Sequence, residues 1–75
     1  MKIFFFGVLA DVCGVNEISV EHLTDIDALK IDLKNKYPLL DNYNFQVVVN
    51  SERVSTNVSL NSNDEVAFLP PFAGG

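Results

Sequence analysis

The chain carries one cysteine, one histidine, scattered carboxylates and an end that reads Phe68-Leu69-Pro70-Pro71-Phe72-Ala73-Gly74-Gly75. Each is a candidate for chemistry. A nucleophilic cysteine needs a nearby base or a helix N-terminus. Cys13 sits in Ala10 to Asn16, where Gly14 and Asn16 supply turn chemistry, so this stretch reads as a loop with Cys13 as a small apolar plug. His22 has no Cys, Asp or second His at ligand spacing and reads as ordinary surface. Asp25 and Asp27 are of the type that does acid–base work. An Asp before Ile26-Asp27-Ala28 is more simply an N-cap with a second carboxylate in the first turn. The end of the chain is different in kind. Proline fixes φ and lacks an N–H, so from Pro70 onward the tail is expected to leave the body extended, neither pairing onto a sheet edge nor coiling. Six residues of such chain reach roughly 20 Å. Phe72 is the one large side chain on that arm, and Ala73, Gly74 and Gly75 form the narrowest backbone available. The chemistry this suits is delivery of the Gly75 carboxylate, on a thin lead, into another protein's active site.

The elements that must hold this arm follow from the apolar pattern. Lys2 to Leu9 predicts a first strand with Ile3, Phe5 and Leu9 on one face and Phe4, Phe6 and Val8 on the other. Glu17 to Val20 alternates and predicts a second strand, hairpinned to the first with Ile18 and Val20 inward. Ile26, Leu29, Leu33 and Tyr37 form one helical stripe, Lys30, Lys34 and Lys36 load its later turns, and Pro38 ends it. Leu39 to Asn44 reads as a polar-rich connection. Phe45 to Val49 and Arg53-Val54 are strands across an Asn50-Ser51 turn, and Ser55 to Asn61 is irregular chain anchored by Val58 and Leu60. Asn61 to Asp64 is a turn before the last strand, Glu65 to Leu69. One amphipathic helix on a small mixed sheet of about five strands is an α+β roll, with a body over 1–69 and a tail over 70–75. Sheet parity puts Ile3, Phe5, Val66 and Phe68 toward the helix and Phe4, Phe6, Ala67 and Leu69 away from it. With only one helix to cover a face, the outer apolar residues beside the tail read as a docking surface.

Composition narrows the partners. Seventy-five residues allow one domain. A single cysteine excludes a disulfide framework, an all-cysteine metal site and an iron–sulfur ferredoxin. A net charge of −5, with five Lys and Arg thinly spread, argues against nucleic acid and anionic membrane. No charged-then-apolar leader and no apolar run near membrane-spanning length are visible, and the expected location is cytoplasmic.

The strand and helix order, the hairpin Val49-Asn50-Ser51-Glu52-Arg53-Val54, the turn Asn63-Asp64-Glu65-Val66 and above all Phe68 to Gly75 resemble the small sulfur-carrier subunit of molybdopterin synthase, the MoaD family of ubiquitin-like β-grasp proteins. Asn63 stands where that family often has glycine, and Leu9-Ala10-Asp11 stands where many relatives have an arginine. The resemblance implies that the chain is not itself an enzyme and binds no cofactor or metal. An E1-like enzyme, using ATP and magnesium, is expected to adenylate Gly75, which then becomes a thiocarboxylate. Pro70, Pro71, Phe72, Ala73 and Gly74 would thread a channel of the large catalytic subunit, and the sulfur would go to cyclic pyranopterin monophosphate to make molybdopterin. Phe4, Phe6, Leu69 and Phe72 would bind that partner, with two carriers flanking a dimer of large subunits. Thiazole synthesis, tRNA thiolation, ubiquitin-like conjugation and a plain β-grasp interaction module remain alternatives.

Overall fold

The apolar run at the start of the chain divides into two elements. In the computed structural model, which describes residues 1–21 and 23–71, strand β1 spans Lys2–Phe5 and a short helix α1 spans Val8–Cys13. This corrects both the strand expected to reach Leu9 and the loop expected over Ala10 to Asn16. Gly7 makes the break, at φ 57° and ψ −135°, a region that glycine enters without Cβ strain. The chain turns there, and the Leu9 and Ala10 amides donate to the carbonyls of Phe6 and Gly7, each at 3.1 Å. Gly14 ends the helix in the left-handed conformation, φ 75°, with its N–H on the Ala10 carbonyl. Leu9, Val12 and Cys13 fall at i, i+3 and i+4, so Leu9 is fully buried, Val12 and Cys13 pack against the core, and Val8 points out.

Strand β2, Glu17–Ser19, pairs antiparallel with β1 through Ile3↔Ile18; Val20 lies one residue past it and donates to the Met1 carbonyl at 3.0 Å. The main helix α2 spans Ile26–Lys36, capped as its sequence predicts: Asp25 Oδ1 accepts from the Ala28 N–H at 2.9 Å. Ile26, Leu29 and Leu33 are buried along its inner stripe. After Tyr37 the chain enters a 3₁₀ segment, Pro38–Asn42, rather than the polar-rich connection expected over Leu39 to Asn44. Leu40 is the reason, since the tight turn sinks it into the core at 2% exposure. Strands β3, Gln46–Val49, and β4, Glu52–Val54, form a hairpin through Asn50 (φ 49°) and Ser51 (φ 70°), the two left-handed residues that a type I′ turn requires. Residues 55–61 are irregular but tied to the start of α2: Ile26 donates to the Val58 carbonyl and Leu60 to that of Thr24. Strand β5 spans Glu65–Leu69, as predicted.

The five strands lie in the order β2-β1-β5-β3-β4, with β5 parallel to β1 and antiparallel to β3. This is the α+β roll read from the sequence. Ile3, Phe5, Val66 and Phe68 all face the helices and are at most 2% exposed. Phe5 stacks on Phe68 at 6.0 Å and meets Tyr37 edge-on at 5.9 Å, while the Phe45 ring, just outside β3, stands edge-on to Phe68 at 5.1 Å. The correction at α1 also changes who covers the sheet. Leu9 of α1 and Leu40 of the 3₁₀ segment join the cluster under α2, so three helical pieces rather than one pack on the inner face. No described helix is long and apolar enough to cross a membrane.

Candidate functional site

The tail's root is built by the central strand. β5 has a neighbour on each side, β1 and β3, and its last residue, Leu69, pairs with Gln46. Residues directly opposite one another share a face, so the outer surface can be read row by row. Phe4, Ala67 and Val48 stand side by side across β1, β5 and β3, flanked by Glu17 on one edge strand and Arg53 on the other. Toward the tail, Leu69 and Gln46 continue this face, and Phe6 holds to β5 through its N–H on the Phe68 carbonyl at 3.1 Å. Phe4, Ala67, Val48 and Leu69 are half-buried and Phe6 is 48% exposed. Together they make an apolar surface with charge at its margins, on the side that α2 leaves open.

Of the residues expected to meet a partner, Phe4, Phe6 and Leu69 therefore lie on one face beside the point where the chain leaves β5. Pro70 is half-buried and Pro71 exposed. Phe72, Ala73, Gly74 and Gly75, expected as the anchor, the narrow lead and the reacting carboxylate, lie outside the described residues, as does His22. Two residues of this region escaped the sequence reading. Val48 joins the outer row only because β3 pairs with β5 in this register. Gly7 lies against the tail itself: a Cβ placed on it would sit 3.0 Å from Pro70 Cγ. A glycine directly after Phe4-Phe5-Phe6 was the available signal, since glycine in an apolar run marks a break or a close backbone approach.

The other candidates take structural roles. Asp25 is occupied as the N-cap, and the Asp27 N–H donates to Asn57 Oδ1 at 2.9 Å. Cys13 is half-buried on α1, not in a loop, and burial pushes its thiol pKa up. A raised thiol pKa means less thiolate near neutrality, the reverse of what a nucleophile requires. Asp64, in the turn before β5, is buried and accepts from Asn50 Nδ2 at 2.8 Å and the Asn61 N–H at 2.7 Å. The Asn50 side-chain oxygen accepts in turn from the Glu65 N–H at 3.0 Å. This network ties the β3–β4 turn to the start of β5 and fixes the strand that carries the tail.

Comparison with known proteins adds to this geometry. The model of the ThiS family matches residues 3–75. The molybdopterin synthase sulfur carrier subunit of Mycobacterium tuberculosis is 32% identical, over 100% of this chain and 96% of its own length. The subunit of the same name from Dictyostelium discoideum is 31% identical, over 99% of this chain and 94% of that one. Among solved structures, small archaeal modifier protein 1 from Methanosarcina acetivorans superposes with a TM-score of 0.83 at 20% identity, covering 99% of this chain and 94% of that one. That likeness is one of fold, the ubiquitin-like β-grasp.

Proposed function

The chain belongs to the ThiS family, and on that premise we propose that it is a sulfur carrier, the small non-catalytic subunit of a molybdopterin synthase. The observation that carries the reading is a central strand that ends at Leu69 beside an uncovered apolar face and leads in sequence into Pro70-Pro71-Phe72-Ala73-Gly74-Gly75. In this reading Gly75 supplies the reacting carboxylate. A carboxylate is a poor acyl donor because its leaving group would be oxide, so an E1-like enzyme first adenylates it with ATP and magnesium. The carboxylate oxygen attacks the α-phosphorus, and pyrophosphate leaves. Sulfur at the oxidation level of sulfide then attacks the acyl carbon and displaces AMP, leaving a thiocarboxylate on Gly75. In the large catalytic subunit that sulfur bonds to a carbon of cyclic pyranopterin monophosphate as a carbon–oxygen bond there breaks, and water hydrolyses the resulting thioester, leaving the sulfur on the product and the carboxylate restored on Gly75. Pro70 and Pro71 stiffen the lead, Ala73 and Gly74 keep it narrow, and Phe4, Phe6, Leu69 and Phe72 dock it. Two carriers then flank a dimer of large subunits.

Intact mass spectrometry of the chain from cells holding its activating enzyme tests this. The expected result is a gain equal to exchanging one oxygen for one sulfur at Gly75, lost when Gly75 is deleted or a tag is added beyond it. Gly74→Val keeps length and carboxylate but thickens the lead, and it should bind the large subunit yet be activated poorly. An isopeptide between Gly75 and a lysine of another protein, with no thiocarboxylate, would instead favour the modifier reading.

A further inference from the structure

We infer that Gly7 is a positioning residue for the tail: its bare Cα seats the Pro70 ring and so sets the direction in which the chain leaves the sheet. The geometric half stands on its own; its consequence for activation rests on the sulfur-carrier reading. β1 and β5 run parallel through Phe5↔Phe68, and one further hydrogen bond joins Phe6 to Phe68. There β1 stops and Gly7 turns the chain into α1, while on the other flank β5 continues to Leu69 beside Gln46. Pro70 thus emerges between β3 and the Gly7 turn. Having no N–H, it cannot donate to a neighbouring strand, and its ring lies instead against the Gly7 backbone.

The seat is tight. A Cβ on Gly7 would lie 3.0 Å from Pro70 Cγ and 3.6 Å from Cδ, where carbon atoms prefer about 3.5–4.0 Å. An alanine and the proline ring cannot both keep their places. Gly14 provides the contrast within the same fold. Its φ is also positive, +75° against +57° at Gly7, though its ψ of 9° is left-handed helical where Gly7 has −135°, and a Cβ there meets nothing within 4 Å. Of the two described glycines, only Gly7 touches the tail. Pro71 follows directly with its own φ fixed by its ring, so a displacement of the Pro70 ring turns the direction in which the chain leaves Pro71. A carrier whose tail is aimed in the entry direction less of the time binds its activating enzyme with a proportionately weaker apparent affinity, while the chemistry after entry is unaltered.

The experiment compares the full chain with Gly7→Ala, Gly14→Ala, Pro70→Ala and the double variant Gly7→Ala/Pro70→Ala. Three quantities are read: the melting temperature, the carbon chemical shifts of residues 69–71, and pyrophosphate exchange with the activating enzyme as carrier concentration is varied. Both glycine variants should lose melting temperature through backbone strain. Only Gly7→Ala should move the Pro70 and Pro71 carbons and raise the carrier's KM about three- to tenfold with kcat nearly unchanged, as a smaller competent fraction requires. In the double variant the clashing Cγ is gone, and KM should return to that of Pro70→Ala alone. Gly7→Ala with shifts and KM no different from Gly14→Ala overturns the seat, as does a double variant no better than Gly7→Ala. If Gly7→Ala does not fold, Pro70→Ala decides: unchanged carbon shifts at Gly7 overturn it. Absence of exchange with the wild-type chain would sink the sulfur-carrier reading instead, and the carbon shifts would still decide the role of Gly7.

Discussion

Replacing Phe5 or Phe6 by alanine removes the same atoms from adjacent residues, yet Phe5 ends β1 with its ring in the core and Phe6, one residue past the strand, is half exposed. Phe5 is 2% exposed, stacked on Phe68 and edge-on to Tyr37. Its truncation leaves a cavity at the centre of the aromatic cluster and should cost about 3–5 kcal/mol. A domain of this size holds roughly 4–11 kcal/mol of stability in total, so the loss is a large share of it. At about 4–8 °C per kcal/mol, the melting temperature should fall by ~12 °C or more. Phe6 is 48% exposed, so only half of the burial value of a phenylalanine is at stake, about 1 kcal/mol, or ~4–8 °C. Binding should show the opposite order. In the proposed complex Phe6→Ala should weaken association with the large subunit by about 2 kcal/mol, as an apolar hot spot does. Thermal melts by circular dichroism and titration calorimetry with the purified large subunit measure both. A Phe6→Ala melt as low as that of Phe5→Ala would refute the assignment of faces, and undiminished binding would refute the docking surface.

Asp64→Ala should cost about 1–3 kcal/mol, because the Asn50 side chain and the Asn61 amide lose a buried acceptor; urea titration checks this, and a change near zero would mean water replaces the carboxylate freely. Ser51→Gly should stabilise the hairpin by about 0.5–1 kcal/mol, since Ser51 holds φ 70° in a turn that favours Asn-Gly; a lower melting temperature would contradict it. Burial raises the Cys13 thiol pKa, so the folded chain should react with iodoacetamide at pH 8 more slowly than the urea-unfolded chain. The sign for stability follows: above the ordinary thiol pKa the unfolded chain releases a proton that the folded one keeps, so this group's contribution falls as pH rises. Cys13→Ala should remove that part of the alkaline loss.

Much of the architecture was written locally. Period-two alternation in Glu65 to Leu69, the stripe Ile26, Leu29 and Leu33, and the cap at Asp25 each reflect a choice made by a few neighbouring residues, and each appears where expected. The assignment of Ile3, Phe5, Val66 and Phe68 to one face followed from the same rule, because strand side chains must alternate. The tail's composition also stood in the sequence alone, and the chemistry proposed for Gly75 draws on it. Tertiary structure decided the rest. Phe6-Gly7-Val8-Leu9 is compatible with strand or helix, and the choice fell to helix because Leu9 fills the core only when Gly7 turns the chain off the sheet. Leu40 made a 3₁₀ turn of a segment whose polar residues suggested a loop. That Gly7 meets Pro70, 63 positions further along by number, depends on β1 and β5 lying side by side in parallel. No local pattern encodes that pairing, because it arises only when distant strands must share one buried face.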